Sequence, residues 1–166
     1  MRVAAAILLL ALQAKENPQF DAWKGLKTGS WVKLKVETIE DGEKTPSEET
    51  ETLVSAGADK IVIERKVVAT LGGNPFTTTE KEEHAAASDA ILKVEKGGEE
   101  EIEAGGKKLA CRILFVTRKG VDSTGDIRHK LWMTADVPGG VARSESVSVR
   151  QNRLVATAIV VGWEKK

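Results

Sequence analysis

Apolar and polar residues alternate with a period of two along most of the chain, starting at Trp31. From 31 to 37, Val32, Leu34 and Val36 face one way and Trp31, Lys33, Lys35 and Glu37 the other, which predicts a half-buried strand. Asp41-Gly42 supplies the residues of a tight hairpin turn, so 50–55 is the expected return strand. Gly57-Ala58-Asp59-Lys60 turns the chain into 61–71, rich in β-branched residues, completing an antiparallel meander. Gly72-Gly73-Asn74-Pro75 interrupts the pattern. Residues 76–83, with three threonines and a charged end, read as an edge strand or a solvated loop.

Residues 85–90 have helix propensity without amphipathic length, and read as a short helix or coil. Alternation resumes at 91–94, 99–104 and 107–117, and the glycine pairs Gly97-Gly98 and Gly105-Gly106 read as hairpin turns between these runs. Asp122-Ser123-Thr124-Gly125-Asp126 turns the chain into 127–135, a strand carrying Trp132. Pro138-Gly139-Gly140 cannot continue a ladder. The chain resumes over 141–150, with Val141, Val147 and Val149 on one face and Ser144, Ser146, Ser148 and Arg150 on the other. These two strands form the expected central hairpin. Gln151-Asn152 turns into 154–163, apolar on both sides and therefore expected to be buried on both.

Ahead of all this, Asn17 is an N-cap candidate, Pro18 stands at the first helical position and Gly25 at the stop, predicting two turns of helix with Phe20 and Trp23 on one side. The elements add up to a mainly β fold: a single curved antiparallel sheet of about eight to ten strands, a half-barrel or open barrel, with a short N-terminal helix. The spacing of about ten residues between strands leaves no place for βαβ units. One domain over 15–166 is the simplest division.

Residues 1–14 differ in kind. Met1-Arg2 is a minimal positive start, 3–12 is apolar, and Ala14 offers a small residue for cleavage, which together read as a signal peptide directing the chain to the periplasm or the exterior, with a retained N-terminal anchor as the alternative. The run is too short to span a bilayer. With 25 basic and 25 acidic side chains the chain has no one-signed surface, which argues against a nucleic-acid partner. The single Cys111 leaves no internal disulfide, and at 166 residues the core needs none.

Lys107-Lys108-Leu109-Ala110-Cys111-Arg112, then Leu131-Trp132 with Asp136-Val137-Pro138-Gly139-Gly140, then a last strand ending near Trp163, resemble a set of small exported bacterial proteins of uncharacterised function. Those are similar in plan to the periplasmic lipoprotein carriers of the Lol type, in which a curved antiparallel sheet wraps partway round a helix. The resemblance covers roughly the last sixty residues best. It implies an apolar hollow that holds an acyl chain or a hydrophobic partner, and a hydrophobic small molecule or a lipidated protein is the expected partner. The carriers have more helix to serve as a lid than this chain offers.

No constellation for catalysis stands out. Cys111 needs an imidazole to become a nucleophile, and His84 or His129 are the choices; yet Cys111 shares its face with Leu109, Ile113 and Phe115, where a thiol is a small buried hydrophobe. Glu80, Glu82, Glu83 and His84 read as a charged edge rather than a metal site, and Asp122 to Asp126 as a turn rather than a calcium loop. No cofactor is expected. The four tryptophans carry most weight. Trp132, out of phase with Leu131 and Met133, falls on the face of Lys130, and Trp31 on that of Lys33, where each caps the sheet, packs under the N-terminal helix or lines a binding surface. The expectation is a non-catalytic exported protein binding a lipid, lipoprotein or other hydrophobic molecule, lined by Trp31, Leu34, Val36, Ile63, Ile113, Phe115 and Trp132. The alternative is an envelope adaptor docking another protein through a sheet edge or exposed tryptophans.

Overall fold

The computed structural model describes residues 15–120 and 125–166. The signal-peptide reading of 1–14, and positions 122–124 of the turn ahead of residue 127, lie outside the described residues.

Helix α1 (Pro18–Lys24) begins where expected, because the Asn17 side chain accepts from the Gln19 N–H at 3.2 Å and Pro18 fills the first position. Asn17 is itself buried, and its amide donates to Ala85 O at 3.4 Å, so the cap also pins the helix to the sheet. Phe20 and Trp23 are buried in the main core. Before the helix, β1 (Lys15–Glu16) pairs with β6 (Ala87–Ser88). Residues 85–90, expected as helix or coil, thus serve as a short strand link: this alanine stretch finds a backbone partner before it has length for a helix.

The remaining nine strands make one antiparallel sheet: β2 (Trp31–Glu40), β3 (Glu43–Ala56), β4 (Lys60–Leu71), β5 (Asn74–Ala85), β7 (Ile91–Ala104), β8 (Lys107–Arg118), β9 (Ile127–Met133), β10 (Val141–Ser148) and β11 (Arg153–Glu164). Their order is β5-β4-β3-β2-β11-β10-β9-β8-β7, curved and not closed, so the expected open barrel is found. Asp41 and Gly42 both take positive φ, 48° and 87°, as a two-residue hairpin turn of the strand-twisting kind requires. The return strand β3 starts at Glu43, earlier than the apolar run, because the polar residues 43–49 continue the ladder with β2. Pro46 lies beyond the pairing with β4, where its missing N–H breaks nothing. β5 is an edge strand, one of the two readings of 76–83.

Four expectations are corrected. Gly97-Gly98 is not a turn: β7 runs straight through it, with a register shift between Lys96 and Glu99. Neither glycine has positive φ, and a Cβ on Gly97 would lie 2.8 Å from the Ile113 side chain, so the pair marks a close approach of β8 rather than a reversal. The middle strand is β11, not the β9–β10 hairpin, and only Val160 of it is fully buried. Its outer face is only partly covered, with Ile159 packed against the core but Val161 exposed, so being central does not bury both faces. Val149 lies past the end of β10 and is 52% exposed. Finally, a bulge between Val141 and Arg143 shifts the phase of β10, placing Val141 with Ser144 and Ser146 instead of opposite them.

Candidate functional site

The concave face is built by strands whose inward residues continue one another across the ladders. Val36 pairs with Ala158, Ala158 with Ser144 and Ser144 with Leu131, all turned the same way. With Val32, Leu34 and Val141 they line a hollow of about 360 Å³, closed on one side by Gln19 of α1 and by Pro138-Gly139. Gly139 meets the helix so closely that a Cβ there would lie 2.5 Å from Trp23 Nε1. Only glycine allows this contact, which seats α1 across the curve of the sheet.

One wall of the hollow is polar, where the resemblance implied an apolar hollow. Glu51 pairs with Val32 on one side and Arg65 on the other, and Glu49, Arg65, Arg118 and His129 face the same space. The Arg65 guanidinium bonds Glu49 at 3.0 Å and Glu82 at 2.9 Å. Burial, reinforced by Glu49, pushes the Glu51 carboxyl up to about 7. Burial and the Arg118 charge hold His129 down to about 4, so its ring is neutral at pH 7, with Nδ1 2.8 Å from Ser146 Oγ. His84, 3.4 Å from Glu82, is also held below its ordinary value by burial.

The seven residues expected to line a ligand site fall on two faces. Leu34 and Val36 line the hollow, and Ile63 shares their face but is buried in the core with Phe20 and Trp23. Trp31, Ile113, Phe115 and Trp132 are on the other face. Trp132 is not an exposed docking aromatic: it is buried, with Nε1 donating to Glu100 Oε2 at 2.8 Å and its ring between Lys130 and Arg143. Phe115 is covered by Arg128, and Trp31 is bonded to Glu164.

Cys111 is buried, its Sγ 3.6 Å from Leu109 O, and burial pushes the thiol up from its ordinary value. By strand alternation His129 is on the face of Val116, opposite that of Cys111, so the pairing that would activate the thiol is not assembled. No cluster of metal-ligating side chains occurs among the described residues. A larger groove, about 900 Å³, opens between α1, the tip of the β7–β8 hairpin and the loop after β9, but its rim carries Asp21, Glu99, Glu101 and Asp136 against Arg112. A hydrocarbon chain entering there would have to desolvate those carboxylates.

No protein-family model and no curated protein matches the chain by sequence. Solved structures match it by shape. A candidate exported protein with a YmcC-like fold from Bacteroides fragilis superposes with a TM-score of 0.52 at 8% identity, over 84% of this chain and 97% of that one. MucB gives a TM-score of 0.47 at 14% identity, over 89% of this chain and 56% of its own. A DUF1329 family protein from Desulfovibrio piger gives 0.36 at 11%, over 88% and 90%. The first of these shows a shared fold, and at such identity the fold is all that it shows. That fold, a curved sheet partway round a helix, is the plan the sequence resemblance implied. Among the described residues no helix is long and apolar enough to cross a membrane.

The polar wall was missed in the sequence, although a signal existed. Glu49 and Glu51 continue the phase of Leu53, Arg65 that of Ile61 and Ile63, and Arg118 that of Leu114 and Val116. A charge in phase with a buried face is a sequence signal for a candidate site.

Proposed function

We propose that this is an exported, non-catalytic protein that shelters a hydrophobic ligand, a lipid or the acyl chain of a lipidated protein, in the hollow between α1 and the sheet. One observation carries the reading: Phe20 and Trp23 fill only part of the concave face, leaving about 360 Å³ over Val32, Leu34, Val36, Leu131 and Ala158. An open sheet that packed its helix for stability alone would close this space, since interiors pack to near-crystalline density. Native mass spectrometry of protein purified from its own envelope tests it. Copurifying lipid, lost in Val36→Glu, is the expected result; repeated recovery of empty protein that takes up no environment-sensitive fluorophore refutes it.

A second reading, an envelope adaptor, draws on the edge strand β5. Phe76 on it and Leu71 beside it are exposed, at 39% and 56%, on an unpaired ladder. A stable protein partner in envelope extract, lost when Phe76 is changed to Lys, with the hollow empty, is what that reading alone predicts.

A further inference from the structure

Two arginines line the concave hollow, and among the described residues only one of them is paired with a carboxylate. Arg65 is satisfied twice over by Glu49 and Glu82. Arg118, at the end of β8, donates to the neutral oxygen Gln19 Oε1 at 3.2 Å, and among the described residues it has no ion-pair partner. The two groups nearest it in charge terms, His84 and His129, are both held toward their neutral forms. A guanidinium taken partly out of water without a counter-charge is costly, and an anion arriving with the ligand relieves that cost through a charge-assisted, bidentate pair.

We propose that the hollow takes a single acyl chain ending in a carboxylate, a free fatty acid, with the head on Arg118 and the tail over Leu34, Val36 and Ala158. This rests on the hydrophobic-ligand reading above and adds the ligand's charge and its number of chains. A volume of about 360 Å³ is near the lower end of the roughly 300–1,000 Å³ usual for small-molecule sites, room for one chain and not for the several chains of a membrane lipid. One free positive charge suits one negative charge. The Glu49 carboxylate on the same wall, already matched to Arg65, opposes the second charge of a phosphate monoester.

Calorimetric titration of the purified protein at pH 7 with dodecanoate and with dodecanol, the same chain without the charge, tests this. Dodecanoate is expected to bind at least about tenfold more tightly. Arg118→Gln should bring the two affinities together, and Arg118→Lys should keep part of the preference. Equal affinity in the unaltered protein overturns this inference and leaves the hydrophobic-ligand reading standing; binding of neither overturns both. Should Arg118→Gln fail the circular-dichroism check of folding, Gln19→Met decides: it removes the hydrogen-bond partner that Arg118 has among the described residues without touching its charge. The preference must then persist or grow, and its loss overturns the assignment.

Discussion

The indole nitrogen of Trp132 donates to Glu100 Oε2 at 2.8 Å, linking the outer face of β9 to the β7–β8 hairpin, whose tip runs on past the last pairing with β9 at Arg112. The ring that makes this bond lies against two cations, Lys130 at 4.2 Å and Arg143 at 4.7 Å, the second of them paired with Glu145 at 2.7 Å. Ile102, Ala104, Leu109 and Cys111 of the hairpin tip join the same core as Trp132. The tryptophan that looks in the sequence like a ligand contact thus works as a fastener.

Trp132→Phe keeps an aromatic ring but deprives Glu100 of its donor, and is expected to lower unfolding free energy by about 1–2 kcal/mol. Trp132→Ala removes the ring and frees the hairpin tip, with an expected loss of about 3–5 kcal/mol. Urea unfolding followed by far-UV circular dichroism measures both, and equal losses would show that the indole bond contributes nothing separate from packing.

The far end of the hairpin gives a second test. Gly105 turns with φ +58°, its N–H donates to Val160 O at 2.9 Å, and a Cβ there would meet Trp163 at 2.4 Å. Gly105→Ala combines left-handed backbone strain with a clash against an aromatic face, for an expected loss of about 2–4 kcal/mol. Its neighbour Gly106 has positive φ but open space around it, so Gly106→Ala should cost about half as much. The same unfolding assay ranks the two.

Gly139 tests the seat of the helix. With φ +74° and Trp23 Nε1 2.5 Å from where a Cβ would be, Gly139→Ala must push α1 away from the hollow. Amides of α1 should then exchange with solvent about tenfold or more faster, a local effect exceeding that on β3 or β4. Uniform acceleration across the sheet would show that the contact holds the whole fold and not the helix alone.

The strands and most turns were legible because they depend on local chemistry: alternation at Val32, Leu34 and Val36, paired positive φ at Asp41-Gly42, the cap at Asn17. What was not legible is tertiary. Gly97-Gly98 and Gly105-Gly106 are the same letters, and only the approach of Ile113 and Phe115 separates a bulge from a turn. Residues 85–90 lack any pattern of their own, and the β1 strand that orders them is distant in sequence. The polar wall was hidden for a related reason. Glu51 and Arg65 look misplaced in their own strands, and it is the β3–β4 register that sets them side by side.

That wall predicts an unusual dependence of stability on pH. Glu51 is raised from 4.5 to about 7 in the fold, so the folded state holds a proton that the unfolded chain has lost, and stability falls as pH rises through that window. His129 is lowered from 6.5 to about 4, so the unfolded chain binds a proton that the fold refuses, and stability falls as pH drops below 6.5. Each slope is about 1.4 kcal/mol per pH unit at most, and between about pH 4.5 and 6.5 they oppose one another. Glu49, Arg65 and Glu82 surround Glu51, and Arg118 stands beside His129. The unaltered protein should therefore show a nearly flat profile there, however strongly each group is perturbed. Glu51→Gln should uncover the histidine, with stability rising from pH 4.5 to 6.5. His129→Asn should uncover the carboxyl, with stability falling over the same interval. A double variant loses both slopes and keeps only the loss on acidification that buried His84 adds. Midpoints of urea unfolding at half-unit steps of pH read all four, and single variants as flat as the parent would show that neither group is desolvated in the hollow.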